Sequence, residues 1–334
     1  MSIMQMMLGA GGAGGGIAGE YFAKARYTGT GSAQHITTDL DMTGGGLTWI
    51  KNGVDGRMHV WNYADSKQMY ATEPDYEYSS AEVTSWTSTG FNLGNRSQTN
   101  FSSLDYHSWS FKKAEGFYDT VTYTGTAYGT QTFSHNLGQV PGMILIKNTN
   151  ESTYWWNLYR DDKGTGWHGY LNNNHDNSSS SFWHTAPTST QFTVNDMDEV
   201  NRSGYEYRAF LFAKETENLI KCGSFTGTSS DQSVAVGFKP QFLLIKRYAS
   251  GDNTDWMLID DSMATVSGEQ YKEYWEFGNT STTGSSAGRV NSDLLTLSTG
   301  EYVEFTNTGF TISSTHTNLR SLSADFCYMA IAAP

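Results

Sequence analysis

The sequence predicts an all-β protein: three tandem β-sandwich modules, jelly-roll-like, related by an internal repeat and preceded by a Gly/Met-rich N-terminal arm. Three observations carry this. The 334-residue chain holds 10 Trp, 20 Tyr and 17 Phe beside 35 Gly and only five Pro, the composition of short strands joined by many turns. No segment sustains a 3.6-residue apolar period flanked by caps; the longest helical candidate, 212–220, makes one or two turns. The third observation is the repeat itself.

The arm comes first in chain order, as residues 1–26. Met1, Ile3, Met4, Met6, Met7 and Leu8 form an apolar tip, and glycine dominates 9–16. No basic stretch precedes the apolar start, which makes a poor secretory signal. The chain also lacks the run of ~18 apolar residues that a membrane span needs. Gly9–Gly14 spells G-x-G-x-x-G, but only eight residues precede it and glycines continue to Gly16, so the strand and helix of a dinucleotide fingerprint have no room. The expected role is a flexible tether whose Met-rich tip docks on another protein or on sister copies.

The modules follow at 27–112, 123–213 and 225–334. Each opens with an aromatic before Thr-Gly-Thr (Tyr27, Tyr123, Phe225) and carries an Ile-Lys pair ending an apolar strand at Lys51, Lys147 and Lys246. A Trp comes next (Trp61, Trp156, Trp256), then an Asp (Asp65, Asp161, Asp260), then Thr-x-Phe at Phe91, Phe192 and Phe310, then Asn100, Asn201 and Asn318. Strands YHSWSF, YRAFLF and FCYMAI close the copies. Continuous apolar runs such as MILI fit strands covered on both faces, and alternating runs such as FTV fit strands with one wet face. At ~100 residues each copy is long enough to own a core. Residues repeated in every copy are read as scaffold: Trp as a core anchor expected at one superposable position, Asp and Asn as turn caps.

Charge narrows the function. The formal net charge is −13 and the pI is near 5.0; with no basic cluster, nucleic-acid binding is not expected. Cys222 and Cys327 read as small buried thiols, too few for a disulfide framework or a metal quartet. Neither Asn195–Glu199 nor the spacing of His168, His175 and His184 matches a calcium or zinc pattern. Nucleophile-elbow and zinc-protease motifs are lacking, and paired carboxylates such as Asp161-Asp162 point to opposite faces of a strand. The reading is therefore a non-enzyme with no catalytic residues, cofactor or metal. Two segments distinguish the copies: 165–184, with Trp167, His168, Tyr170, Trp183 and His184, and 269–288, with Tyr271, Tyr274 and Trp275. Aromatics among Asn, Ser and Thr suit glycan contact; the alternative is that they fill their own module's core.

The pattern P-x-x-L-I-K, W-x-L-x-D, L-N-N, T-x-F-x-V, then N-x-S-G-x-x-Y-x-A-x-L-F-A resembles a repeat of tailed-bacteriophage virion proteins, particularly marine and cyanophage types. Val140-Pro141-Gly142 into MILIK, Trp156-Asn157-Leu158, Leu171-Asn172-Asn173, Phe192-Thr193-Val194 and Asn201-Arg202-Ser203-Gly204 into YRAFLFA carry it best. The third module keeps FLLIK and WMLIDD, whereas the first has Gly44-Gly45-Gly46 at the Pro turn. The resemblance implies a virion structural protein, assembled in the host cytoplasm as part of a tail or fibre and held by its N-terminal arm. Its implied partners are other virion proteins and copies of itself in a homo-oligomer. Alternatives are a lectin-like module binding host-surface glycans, a capsid-surface decoration protein and, more remotely, a polysaccharide depolymerase.

Overall fold

The computed structural model describes residues 17–52, 60–63, 67–71, 74–79, 82–126, 128–172, 182–248, 256–262, 301–316, 319 and 323–334, and the backbone alone of 265–266, 270–271, 273–277 and 295–296. The protein is all-β. After a 3₁₀ turn at Ile17–Glu20, the first unit runs β1 (Phe22–Thr28), β2 (Gln34–Thr37), β3 (Gly46–Asn52), β4 (Val60–Tyr63), β5 (Lys67–Tyr70), β6 (Val83–Thr87), β7 (Gly90–Leu93) and β8 (Asp105–Lys112). The second runs β9 (Tyr118–Thr124), β10 (Gln131–Ser134), β11 (Pro141–Asn148), β12 (Asn157–Arg160), β13 (Gly169–Tyr170), β14 (Trp183–Thr185), β15 (Gln191–Val194) and β16 (Glu206–Ala213). The third begins with β17 (Glu215–Thr216), β18 (Ile220–Thr226), β19 (Gln232–Ala235), β20 (Pro240–Tyr248) and β21 (Trp256–Asp260). It continues through β22 (Thr265–Val266), β23 (Gln270–Tyr271), β24 (Glu273–Phe277), β25 (Leu295–Thr296), β26 (Val303–Thr306), β27 (Gly309–Ile312) and β28 (Asp325–Ala332). Among the described residues, α-helix is confined to two single turns, α1 (Ser97–Asn100) and α2 (Asp198–Asn201).

One topology recurs. The large sheets order as β1-β8-β3-β4-β5, β9-β16-β11-β12-β13 and β18-β28-β20-β21-β24, the last extended by β17 and β25. The small sheets order as β2-β7-β6, β10-β15-β14 and β19-β27-β26, the last extended by β23 and β22. Each small sheet covers one face of its large sheet: Ile36, Val83 and Phe91 pack on Ile50 and Tyr106, Trp183 meets Tyr159 edge-on, and Phe310 meets Tyr328. The other face of every large sheet turns toward the neighbouring units. With both faces covered, β3 and β11 are buried at every residue and β20 at all but Arg247. The exposed-edge strands β2 and β19 instead alternate between buried and exposed.

The repeated aromatics, Asn100 and Asn201 act as expected of a scaffold; Asp65 and Asn318 lie outside the described residues, and Asp161 and Asp260 bind Lys214 and Trp109. Tyr27 stacks on Tyr106, Tyr123 on Tyr207 and Phe225 on Phe326, at ring separations of 5.2, 5.1 and 4.8 Å. Asn100 Oδ1 accepts from Thr30 N (2.8 Å), and its Nδ2 donates to the carbonyls of Ser32 and Gly94. Asn201 repeats the clamp with Thr126 N (2.9 Å) and the Gly129 carbonyl. Gly29 and Gly125 permit that close approach, because a Cβ at either would overlap a backbone oxygen, of Phe101 or Arg202.

Four expectations change. The 212–220 segment is not helical: Glu215–Thr216 pairs with Ile220–Lys221 across a turn where Asn218 adopts φ 55°. The sheet begins at Phe22, inside the segment assigned to the arm, because Phe22 fills the core beside Phe111 and Phe242. The three repeated Trp do not share one position. Ile50 pairs with Val60, Ile146 with Asn157 and Ile245 with Met257, so Trp156 and Trp256 precede the matched residues while Trp61 follows. The two-residue offset preserves the face, since side chains alternate with period two, and an indole from either position enters the same core. Finally, the units are not separate in their cores: one apolar cluster runs from Ala18 to Ala332 through all three, while the between-sheet cluster of the first unit, Ile36, Ile50, Val83, Phe91, Leu93 and Tyr106, stands apart from it.

Candidate functional site

The inner faces of the three large sheets meet at seams of one design. Residues matched by register (Tyr63, Arg160 and Asp260, ending β4, β12 and β21) each reach into the next unit. Two of their targets are also matched, Phe210 on β16 and Trp109 on β8, which pair with Leu145 and Trp49, whereas Arg160 meets the end of β20. The Tyr63 ring lies under Arg208 and 5.3 Å from Phe210. Arg160 lies over Tyr248 at 4.8 Å. Asp260 Oδ2 accepts from Trp109 Nε1 at 2.8 Å. The third unit thus returns to the first and the ring closes, with the Pro334 side chain 3.5 Å from the Cβ position of Gly19. Indole donors cross back: Trp156 Nε1 to the Tyr70 carbonyl (3.0 Å) and Trp256 Nε1 to the Tyr170 carbonyl (3.1 Å).

Buried charge concentrates at the first seam. Glu77 takes Arg208 Nε at 2.6 Å, Lys67 Nζ at 2.8 Å and Tyr63 Oη at 2.7 Å. Burial would raise its carboxyl, but those three donors outweigh it and hold the group below the usual carboxylate range. The repeated lysines Lys51, Lys147 and Lys246 are all buried. Lys147 Nζ donates to the carbonyls of Asn148 (2.5 Å) and Glu151 (3.2 Å), and burial pushes its amine down to about 7 against the pull of Asp75 and Glu151. Lys246 Nζ sits over the Tyr248 and Trp256 rings at 5.0 and 5.8 Å. Chemically, this arrangement locks unit against unit.

The residues singled out for glycan contact divide. Trp167, His168, Tyr170 and Trp183 are buried, at 7, 3, 8 and 2% exposure. Trp167 meets Tyr248 edge-on across the second seam, His168 packs on Phe182 at 4.1 Å, and Trp183 lies between the sheets of its own unit against Tyr159. Their place is in packing, which corrects the expectation of open aromatic faces at 165–184; His184 is exposed. The side chains of Tyr271, Tyr274 and Trp275 lie outside the described residues, as do Met1, Ile3, Met4, Met6, Met7 and Leu8 of the arm. Among the described residues, no three His, Cys, Asp or Glu side chains are grouped to hold a metal ion, and no helix is long and apolar enough to cross a membrane.

Sequence reasoning missed Glu77, Arg160 and Arg208. The available signal was a lone Arg inside an otherwise apolar strand, as in NLYR and YRAFLF, since such a charge stays buried only when paired. Matched residues also differ from those that spacing suggests: Asp161 corresponds to Asp261, and Asp260 to Arg160. Among known families, the one described as "Domain of unknown function (DUF7483)" matches residues 17–334, all three units together. No curated protein matches the chain.

Proposed function

The chain belongs to that family of unknown function, and from this premise we propose that it is a non-enzymatic structural protein of a tailed-bacteriophage virion, tail- or fibre-associated. In this reading the N-terminal arm anchors the ring to other virion proteins or sister copies. The observation that carries it is the use made of the repeated residues. The aromatic pairs and Asn clamps stiffen each unit from within, and the Trp indoles with the ends of β4, β12 and β21 close three units into one block. A rigid block built this way suits load-bearing assembly, and the resemblance of its repeat supplies the setting. Host attachment belongs, in this reading, to segments that differ between units. Fold by itself does not assign function, so the test is on the particle. Antibody raised against residues 17–334 should label purified virions of a phage encoding the protein. Presence in infected-cell lysate but absence from purified particles would sink the reading. Removing residues 1–16 should leave melting unchanged and abolish incorporation; a deletion through residue 26 would also remove Phe22 from the core and could not separate anchoring from folding.

A further inference from the structure

Every large apolar side chain left exposed among the described residues lies at a turn end, the end of a unit that carries Thr-Gly-Thr. Tyr128, 86% exposed, sits in that turn of the second unit, and Phe101, 48% exposed, follows the Asn100 clamp of the first. Tyr76, 46% exposed, precedes Glu77, whose N–H donates to the Thr149 carbonyl just past β11. These ends lie away from the arm. The first and second units start side by side, with Tyr21 and Phe117 at a ring separation of 6.1 Å, and the seven residues of β9 then run about 23 Å to their turn.

At this end the second unit departs from its copies. The N–H groups of Gly29, Gly125 and Gly227 donate to the carbonyls of Leu104, Tyr205 and Ala324. Those of Phe101 and Arg202 donate to Tyr106 Oη and Tyr207 Oη. Tyr205 therefore takes the place of a Leu and an Ala, and Arg202 that of a Phe, so the scaffold requires neither. Arg202 lies over the Tyr205 ring at 4.3 Å, and its Nη1 donates to Glu151 Oε1 and Tyr154 Oη, each at 3.2 Å. Tyr205 Oη donates to Glu151 Oε1 at 2.6 Å, so this half-exposed cluster is held in place. Tyr128 stands beside it, because Asn201, next to Arg202, fixes Thr126 N and the Gly129 carbonyl on either side of that ring. The surround is polar: Thr124, Thr126 and Thr130 are exposed, and Asp196 Oδ2 accepts from Gly129 N at 3.4 Å.

We propose that the turn end of the second unit binds uncharged polysaccharide, with Tyr128 as the stacking platform, Asp196 accepting from hydroxyls and Arg202 donating to them. A sugar offers the C–H face of its ring to an aromatic face and its hydroxyls to the donors and acceptors around it. Threonines and carboxylates about Tyr128, rather than further apolar side chains, favour a sugar over an apolar peptide. Asp196, Asp198 and Glu206, on a chain of net charge −13, repel sulfated or phosphorylated glycans. The site rests on the reading that host attachment belongs to segments that differ between units.

The experiment applies the full chain to a microarray of uncharged hexose, deoxyhexose and pentose oligomers beside sulfated and phosphorylated ones, with calorimetry on the glycans bound. Uncharged glycans should bind and anionic ones should not. Tyr128→Ser, at a fully solvated ring, should melt like the parent chain and weaken binding about tenfold or more. Arg202→Met should weaken it as well; if that variant also melts lower, Tyr128→Ser decides alone. The proposal is overturned by an array on which no uncharged glycan binds, by binding confined to anionic glycans, or by binding that Tyr128→Ser leaves unchanged. Loss of particle incorporation by Tyr128→Ser with no glycan bound would assign the face to a virion partner and overturn it too. Labelled virions with a silent array would sink this site and leave the structural reading standing, whereas array binding with unlabelled virions would do the reverse.

Discussion

Single ionisable residues in this fold make its stability depend on pH in two windows. Burial holds the Lys147 amine near about 7, far below the ~10.4 of an unfolded lysine. Between those values the unfolded chain binds more protons, so the Lys147 contribution makes stability rise as pH increases from about 7 toward 10. Lys147→Met should flatten that rise in denaturant midpoints measured across the window. His316 gives the acid-side counterpart: burial pushes it down to about 4, against ~6.5 unfolded. It is neutral in the fold, so stability is lost as pH falls from about 6.5 through 4. His316→Gln should reduce that loss; an unchanged acid limb would assign it to other groups.

At the scale of elements, the Thr-Gly-Thr turn and the single-turn helices α1 and α2 work as one device. In the second unit, Tyr123 Oη donates to the Val200 carbonyl at 2.7 Å and Tyr207 Oη to the Asp198 carbonyl at 2.6 Å, satisfying carbonyls that a four-residue helix leaves open. Asn201→Ala strands Thr126 N–H and the Gly129 carbonyl, and should cost about 1–3 kcal/mol in chemical denaturation. Gly125→Ala should be at least as costly, because its Cβ would overlap the Arg202 carbonyl and the backbone must move. Phe225 and Phe326 keep the stack in the third unit without either hydroxyl. Aromatic packing is therefore the common part of the device, and the Tyr hydrogen bonds belong to the first two units.

The whole molecule is one cooperative body because its core is shared. Calorimetry should show a single transition whose calorimetric and van't Hoff enthalpies agree. Residues 113–213 expressed alone should lack a cooperative melt, since Met143, Leu145, Phe210 and Phe212 would lose the neighbours that cover them. Three separable transitions would contradict the closed ring. The seam chemistry allows a sharper check. Glu77→Gln leaves Arg208 and Lys67 without their carboxylate and should cost about 3–5 kcal/mol, whereas Glu77→Gln with Arg208→Met should recover part of that loss.

The sequence by itself determined the strand-rich class, the threefold internal repeat, and which residue types recur in it. Period and composition are local properties, and a strand covered on both faces is drawn mostly from apolar residues, as the runs MILI and FLLI are. The Asn clamps were legible for the same reason: they bind turns within their own unit. What only the tertiary structure decided is everything that crosses a seam. That Tyr63, Arg160 and Asp260 are equivalent cannot be read from their chemistry, for they are an aromatic, a cation and an anion. Equivalence there is set by register, and each side chain suits a different neighbour: Arg208, Tyr248 or Trp109. The aromatics at 167, 168, 170 and 183 illustrate the same limit. Alternation with polar residues shows that a ring has one covered side, but only the position of the next sheet decides whether the other side meets solvent.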